Sequence, residues 1–424
     1  MRRIWVHALV VIATLLLGLP AMADRLSLVD AQSEARAHGP EAAELEARLR
    51  GAQVVADDAS RAFRRDPSIT GAYTPGAITG NPDEVTWQVG LRLPIDISGS
   101  WGPRGASAAA DRDRTRFDRE DGLRALDETV AITVADLALA QRLLARADRV
   151  VTLYAVAAEA AHRRFAIGQG DQLEVDAADL DLAGARAAVA QARGELGRAR
   201  AGLARLLGRT TSSDLGVEDP DEPGALAQVD IAAMVDRDPR TRSTEAELRA
   251  ARRELDTYMR LIWPIPTLGV DYAYRRRDIA VGSFSGPGAS ALSANWVDNE
   301  VGFSLTLPLP LFDRQTQGRA KASARIFAAE ARLASVRADV RAQLATAWSS
   351  LTAASGAFDA LAGTSAIIER QFTLLDRALR AGVLDAVART LAIRRLEDAG
   401  RRWDIAIREV RVARAGWIRR THRL

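Results

Sequence analysis

Apolar and polar residues alternate along short segments in both halves of the chain. In segment 85–93 every second residue is apolar and large, and the same alternation runs through 268–274 and 301–307. A period of two residues with one apolar face is typical of β-strands that expose their faces to different surroundings. We therefore predict one strand pair in each half, at about 67–94 and at about 264–311.

Long stretches that follow the strand pairs repeat their apolar residues every seven positions. No proline interrupts residues 104–166 or 316–379, and many of the repeated residues are alanines. Small residues in a seven-residue repeat predict long helices that pack closely side by side. At about 1.5 Å per residue, each helix would be about 100 Å long. The predicted helices are, in chain order, about 40–64, 103–166, 171–208, 239–262, 316–379 and 383–420.

The two halves of the chain resemble each other. A Leu-x-Leu-Pro motif ends at Pro94 and again at Pro308, and a glycine follows the long helix at Gly168 and again at Gly382. Both pairs are the same number of residues apart, which indicates an internal duplication. The predicted boundaries are 24–208 for the first repeat, 209–229 for a linker and 230–424 for the second repeat.

The first residues follow the order of a secretory signal peptide. Two arginines precede an apolar run that ends near Leu19, and a small-x-small cleavage motif follows at Ala21–Ala23. The run is shorter than the about 20 apolar residues that a membrane-spanning helix needs, although an anchor is the alternative interpretation. We predict that residues 1–23 are removed and that the mature chain begins at Asp24, outside the cytoplasm.

Composition excludes several classes of function. The chain of 424 residues has 58 basic and 55 acidic residues, and a net charge of +3 does not predict binding to nucleic acid. It has no cysteine and only four scattered histidines, so neither a thiolate site nor a histidine metal centre is expected. No catalytic motif stands in its required structural setting. We predict that the chain is not an enzyme and has no catalytic residue, metal site or cofactor.

The duplication, the two glycine turns and the segment Leu305–Arg314 followed by Gly318 resemble the TolC-type outer membrane efflux family. The resemblance extends over essentially the whole mature chain, and this segment is most similar to the CzcC-like branch that serves heavy-metal and cation efflux pumps. It implies a mainly α fold with a small membrane β-barrel. Four strands cannot close a barrel alone and an open edge is not tolerated in lipid, so three chains would form a barrel of twelve strands above a periplasmic helical barrel.

The same resemblance implies the exit duct of a tripartite efflux pump in the outer membrane of a Gram-negative bacterium, with a long periplasmic extension. The duct would conduct substrates passively, metal cations among them. Its partners would be two further copies of the chain in a homotrimer, a periplasmic membrane-fusion adaptor, an inner-membrane pump of the RND type and outer membrane lipid. Two alternatives stay open: an exit duct for type I protein secretion, and a periplasmic coiled-coil scaffold without a pore.

The first candidate site comprises the two glycine turns, where the family has its periplasmic aperture and binds the adaptor. The matching residues are Gly168, Gln169, Gly170, Asp171, Gly382, Val383, Leu384 and Asp385. Asp171 and Asp385 are equivalent in the duplication, so a trimer would bring six carboxylates near one axis, and such a ring favours cations. The alternative is that each aspartate caps the helix that follows it.

The second candidate site is the polar face of the strands, which we predict to line a water-filled lumen. Its residues are Thr86, Gln88, Arg92, Asp271, Ser304 and Thr306. Aromatic residues in or near the strands are expected at the lipid–water boundary: Trp87, Trp101, Trp263, Trp296, Tyr272 and Tyr274. Residues 77–84 and 276–299, between the strands of each pair, are predicted to be loops on the outside of the cell.

Overall fold

A computed structural model of the chain describes residues 24–61, 66–75, 84–212, 215–218, 230–263, 265–280, 293–308, 315–381 and 386–421. Within these ranges, only the backbone is described at positions 24, 277–280, 293–296 and 386. The predicted signal peptide, the second glycine turn Gly382–Asp385 and most of the segment that resembles the CzcC-like branch lie outside the described residues.

The described chain is mainly helical, with a small amount of strand, as the sequence predicts. The helices are α1 (Leu28–His38), α2 (Pro40–Ala59), α3 (Trp101–Ala166), α4 (Gln172–Leu207), α5 (Ile231–Arg237), α6 (Pro239–Arg260), α7 (Thr316–Ala360), α8 (Thr364–Ala381) and α9 (Ala386–Thr421). The strands are β1 (Asp24–Leu26), β2 (Ser68–Pro75), β3 (Val85–Pro94), β4 (Leu215–Val217), β5 (Thr267–Ala280) and β6 (Ser293–Thr306).

The chain divides into two compact units, and each unit combines pieces of both sequence repeats. The helical unit contains residues up to Ala47, Asp118–Pro239 and Arg337–Leu424, and the sheet unit contains Arg48–Phe117 and Arg240–Val336. The two predicted repeats are therefore not separate domains. The physical reason is that strands from both repeats pair into one sheet and that α3 and α7 each contribute to both units.

In the sheet unit, the strands form one antiparallel sheet in the order β2-β3-β5-β6. Residues directly opposite each other in such a sheet share a face, so the register sorts the apolar and polar positions onto opposite sides. The hydrogen-bonded ladder of β5 and β6 continues to the pair Ala280–Ser293. The loop predicted at 276–299 is therefore too long, because pairing extends beyond the alternating apolar residues.

The core of the helical unit includes a strand pair that the sequence does not reveal. β1 and β4 pair in parallel, and Leu26, Leu215 and Val217 are buried in a cluster with residues of α1, α3 and α4. The linker predicted at 209–229 thus contains a strand. Its many turn-forming residues suggested a plain connection, and three residues are too few to show a period. Helices α1 and α5 are likewise absent from the prediction.

The helix predicted at 316–379 is interrupted, which corrects the sequence interpretation. α7 ends at Ala360, α8 begins at Thr364, and Gly363 between them has a φ of +81°. Backbone N–H groups in this segment donate to carbonyls three residues earlier, a tighter turn than the α-helix. The seven-residue repeat continues across the break and therefore gives no sign of it. In the first repeat, α3 is continuous over 66 residues and has Arg149 at the position equivalent to Gly363.

Candidate functional site

One face of the sheet, here called the outer face, carries the large apolar residues and is exposed in the single chain. Phe303 is 83% exposed, and Ile69, Trp87, Val89 and Leu91 are exposed as well. The register arranges this face in rows across the sheet: Ile69, Leu91, Val270 and Phe303; Gly71, Val89, Tyr272 and Val301; Tyr73, Trp87, Tyr274 and Asn299; Pro75, Val85, Arg276 and Val297. An apolar surface of this extent needs an apolar surrounding, since soluble monomers rarely expose one.

The opposite face, here called the inner face, carries all six residues that the sequence predicts to line a lumen. The register aligns Arg92 with Ser304 across β5, and Thr306 pairs with Thr267. Thr86 and Gln88 occupy the same face because they alternate with Trp87 and Val89. The structure thus brings Thr86, Gln88, Arg92, Asp271, Ser304 and Thr306 onto one hydrophilic surface.

Glycines on the inner face give Asp271 room to lie flat against the sheet. A β-carbon at Gly90 would collide with the Asp271 carboxylate, and one at Gly269 would collide with the Ser304 hydroxyl. That hydroxyl donates to Oδ2 of Asp271 at 3.4 Å. Farther along the same face, Arg275 and Glu300 form an ion pair at 3.9 Å. The inner face therefore carries both signs of charge and suits water rather than lipid.

Aromatic side chains lie near both ends of the strands that carry the outer face. Tyr73 and Trp87 pack edge to face with ring centroids 5.3 Å apart. The Tyr272 hydroxyl donates to Oδ1 of Asn299 at 2.9 Å. At the other ends of the strands, Trp101 follows β3, Trp263 precedes β5, and both are exposed. Trp296 lies outside the residues with described side chains. Aromatic belts at the two ends of an apolar band are typical of strands that cross a membrane.

The first glycine turn connects α3 to α4 through a closed set of backbone bonds. Gly168 has a φ of +72°, its N–H donates to the carbonyl of Phe165, and the N–H of Gln169 donates to the carbonyl of Arg164. This pair of bonds is a Schellman motif, whose left-handed residue is usually glycine. The Asp171 side chain then caps α4, because it accepts the N–H of Glu174 at 2.7 Å. The capping interpretation of Asp171 is therefore correct.

The turn is held by an ion pair and exposes apolar side chains around it. Arg164 of α3 donates to Glu174 of α4 at 3.0 Å, which joins the two helices across the turn. Phe165, Ile167 and Leu173 are all exposed. Backbone hydrogen bonding and capping already account for the fold of the turn, so these exposed apolar groups are available to a partner.

Helices α8 and α9, which flank the second turn, pack on α3 through several ion pairs, two of which involve Arg149 and Arg146. Arg149 of α3 donates twice to Glu369 of α8, at 2.7 Å each, and its guanidinium lies 4.3 Å from the centre of the Phe372 ring. The hydrogen bonds from Arg149 lower the pKa of Glu369. Arg146 of α3 donates to Asp404 of α9 at 2.7 Å and 2.9 Å, and the Asp404 side chain is only 4% exposed.

Sequence reasoning missed both ion pairs. Their partners lie far apart in the chain, so no spacing rule links them. In the sequence, the glycine at position 400 is the residue that reflects the Arg146–Asp404 contact, since a β-carbon there would collide with the Arg146 guanidinium. Near the start of α9, Arg389 borders a cavity of about 10 Å³ that Arg164, Glu174 and Leu379 also line, room for about one water. Within the described ranges, no group of three or more metal-binding side chains is arranged to hold an ion.

Solved structures with the same fold are membrane channels and related proteins. The chain aligns with a membrane protein from Pseudomonas aeruginosa at a TM-score of 0.73 and 18% identity, covering 93% of both chains. It aligns with the outer membrane protein VceC of Vibrio cholerae at a TM-score of 0.69 and 16% identity, covering 93% of this chain and 95% of VceC. The chain aligns with the MtrE outer membrane channel of Neisseria gonorrhoeae at a TM-score of 0.67 and 17% identity, covering 93% of this chain and 88% of MtrE. The fold is that of the TolC-like outer membrane channels.

The sequence itself identifies the family. The profile of outer membrane efflux proteins matches residues 31–209 and 232–403, one match in each predicted repeat. The chain belongs to the outer membrane efflux protein family. No curated protein sequence matches it.

Proposed function

We propose that the chain is one subunit of a trimeric channel that serves as the exit duct of a tripartite efflux pump. The observation that carries this proposal is the two-faced sheet, with an exposed apolar outer face and a hydrophilic inner face on the same four strands. An open sheet leaves backbone groups unpaired at both edges, which lipid does not tolerate. Three copies would supply twelve strands, an even number within the range of closed membrane barrels.

The helices also carry apolar surface that a neighbouring subunit would cover. Within Thr316–Ala381, one stretch of 18 residues is apolar, but only 11% of this stretch is buried in the single chain. Phe327, Ile367 and Leu374 on α7 and α8 are exposed large apolar residues. We propose that copies of the chain cover this surface in the trimer, where the long helices would form the periplasmic helical barrel. We also propose that residues 1–23 direct export of the chain and are cleaved off before Asp24.

We propose the turns as the docking end for the other pump components. Phe165, Ile167 and Leu173 give the first turn an apolar rim, while Gly168 and Asp171 fix its backbone. A periplasmic adaptor would bind this rim, and an inner-membrane pump of the RND type would bind the adaptor. The second turn, Gly382–Asp385, would contribute an equivalent surface by the duplication. Six aspartates, Asp171 and Asp385 from three chains, would surround the aperture.

The second part of the proposal concerns the class of substrate that the duct conducts. The similarity of Leu305–Arg314 to the CzcC-like branch favours divalent metal cations, and both charge signs on the inner face fit passive conduction in water. A type I secretion duct is the alternative within the same fold, and the exposed apolar outer face disfavours a scaffold without a pore. Loss of the gene should sensitise the cell to metal cations if the substrate is a metal, and should abolish export of one protein if the alternative is correct.

The absence of cysteine allows a direct test of the two faces. Gln88 and Val89 are adjacent in β3, but Gln88 belongs to the inner face and Val89 to the outer face. In planar bilayers, a charged water-soluble thiol reagent should reduce the conductance of Gln88→Cys because it reaches and narrows the lumen. The same reagent should leave Val89→Cys unchanged, since that side chain would face lipid.

The wild-type protein is a built-in control for this experiment, since it offers the reagent no thiol. Each variant is first shown to fractionate with the outer membrane and to crosslink as a trimer. A purified wild type that forms no pores contradicts the proposed channel. Equal block of Gln88→Cys and Val89→Cys contradicts the assignment of the two faces.

A further inference from the structure

Four helices of the helical unit meet around the small cavity near the start of α9. Arg164 of α3, Glu174 of α4, Leu379 of α8 and Arg389 of α9 line it, together with three alanines of α3. Its volume of about 10 Å³ has room for about one water, or for one monatomic ion of similar size. The other lining residues are apolar, so the three charged side chains decide what the cavity can bind.

Arg389 is buried beside this cavity with an unsatisfied donor. The residue is only 5% exposed, and within the part of the chain that the structure describes its Nε has no hydrogen-bond partner. It lies in the first turn of α9, where the helix dipole places partial positive charge and disfavours a cation. A buried guanidinium in this position is costly unless an acceptor, preferably a negative one, meets it.

The other two charged side chains of the cavity satisfy each other. Arg164 donates to a carboxylate oxygen of Glu174 at 3.0 Å and to the carbonyl of Gln169 at 3.4 Å. The three charged groups therefore sum to one positive charge, which disfavours a cation. A water would accept the N–H of Arg389 but would leave the charge buried without compensation. A monatomic anion would do both, whereas sulfate or phosphate is too large for the cavity.

We propose that this cavity binds one chloride ion, which accepts a hydrogen bond from Nε of Arg389. Chloride is the common anion of aqueous surroundings that matches both the size and the sign of the site. Because Arg164 and Glu174 line the same cavity and join α3 to α4, the ion would link the start of α9 to the first glycine turn. The inference goes beyond the proposed function and does not require a pore.

The experiment follows thermal unfolding of the purified protein in detergent, with chloride replacing gluconate at constant ionic strength. Gluconate is too large for the cavity, and constant ionic strength keeps the screening of surface charges the same. At a chloride concentration about ten times the dissociation constant, the ratio of folded to unfolded protein should be about elevenfold higher than in gluconate. The melting temperature of wild type should therefore rise with chloride concentration.

Two arginine variants test whether the effect belongs to this site. Arg389→Met removes the proposed donor, so chloride should no longer raise its melting temperature. In gluconate this variant should be at least as stable as wild type, because wild type then buries an uncompensated charge. Arg124→Met is the matched control, since Arg124 is another buried arginine of the helical unit but pairs with Glu120. It should keep the chloride dependence of wild type.

Crystals of wild type grown in sodium bromide give a measurement that does not depend on the folding of any variant. Bromide substitutes for chloride and has an anomalous signal, so a peak is expected within hydrogen-bond distance of Nε of Arg389. A water in the cavity without this signal overturns the inference. So does a wild type whose melting temperature ignores chloride, or an equal response in Arg389→Met. A wild type without pores would contradict the proposed channel and leave this site unaffected.

Discussion

At the first turn, Gly168 allows the backbone to reverse and Asp171 caps the helix that follows. The two roles are chemically different. A β-carbon at Gly168 would meet no atom within 4 Å, so the requirement for glycine comes from its φ of +72° and not from lack of space. Asp171 acts through its side-chain oxygen, which asparagine could replace.

A pair of identical substitutions tests the role of the backbone at this turn. Gly168→Ala should destabilise the protein by about 1 kcal/mol, because alanine in the left-handed region is strained. Gly184→Ala lies within α4, where a β-carbon also meets no atom within 4 Å. It should stabilise by about 0.5–1 kcal/mol, since alanine is the better helix former. Thermal unfolding in detergent measures both, and the same sign for the two variants would contradict this account.

At the scale of elements, α3 is joined to α9 and α8 by ion pairs in different surroundings. The Arg146–Asp404 pair is buried, while the Glu369 side chain of the Arg149–Glu369 pair is 61% exposed. Removing one member of a buried pair leaves an uncompensated charge, whereas an exposed pair contributes little because water solvates both partners. The buried Arg146–Asp404 pair should therefore matter more for stability than the exposed Arg149–Glu369 pair.

We expect Asp404→Asn to destabilise the protein by about 3 kcal/mol and Glu369→Gln by less than about 1 kcal/mol. Chemical denaturation followed by circular dichroism distinguishes these values. The double variant Arg146→Met with Asp404→Leu removes both charges together and should be more stable than Asp404→Asn alone. Equal losses for Asp404→Asn and Glu369→Gln would show that burial of the pair is not what matters.

In the sheet unit, the charge network of α3, α6 and α7 predicts a pH dependence. Burial raises the pKa of Asp111, with Arg325 and Arg114 opposing the shift and Glu254 and Glu247 adding to it. The folded state then binds the proton more tightly than the unfolded chain, so stability falls as pH rises from the ordinary pKa of 3.8 through the raised value.

Substitution of Asp111 by asparagine should therefore stabilise the protein at pH 7, and the gain should disappear as the pH approaches the ordinary pKa of an aspartate. The reason is that asparagine keeps a neutral side chain at every pH. Asp113→Asn removes the same charge two residues farther along α3, where Asp113 pairs with Arg112 instead of Arg325, and serves as the control. Melting temperatures between pH 4 and pH 8 test this, and destabilisation by Asp111→Asn at pH 7 would mean that attraction to Arg325 outweighs burial.

The elements also show which parts of the structure the sequence can predict. Periods of two and seven residues predicted β3, α3 and the mainly helical class, because each pattern recurs often enough to be counted. The strand β4 has three residues and no countable period, and the turn at Gly363 does not disturb the seven-residue repeat. Capping at Asp171 was predictable because it is local. The contact between Arg146 and Asp404 was not, since it depends on how distant helices pack.

At the scale of the whole molecule, the duplication places equivalent aspartates at the two turns. Asp171 is a helix cap in the structure, and Asp385 lies outside the described residues. A cap and a member of a charged ring are compatible roles, because the capping oxygen keeps its charge. The two roles separate when the charge is removed and the cap is kept.

The double variant Asp171→Asn with Asp385→Asn makes this separation in the assembled trimer. Asparagine caps helices about as well as aspartate, so the melting temperature should stay near that of wild type. The loss of six negative charges at the proposed aperture should lower the preference for cations in single-channel recordings, because a ring of carboxylates concentrates cations locally. Asp113→Asn with Asp256→Asn removes as many charges from the sheet unit and should leave the preference unchanged. If selectivity and conductance stay at wild-type values in the first variant, the aspartates cap helices and do not form a selective ring.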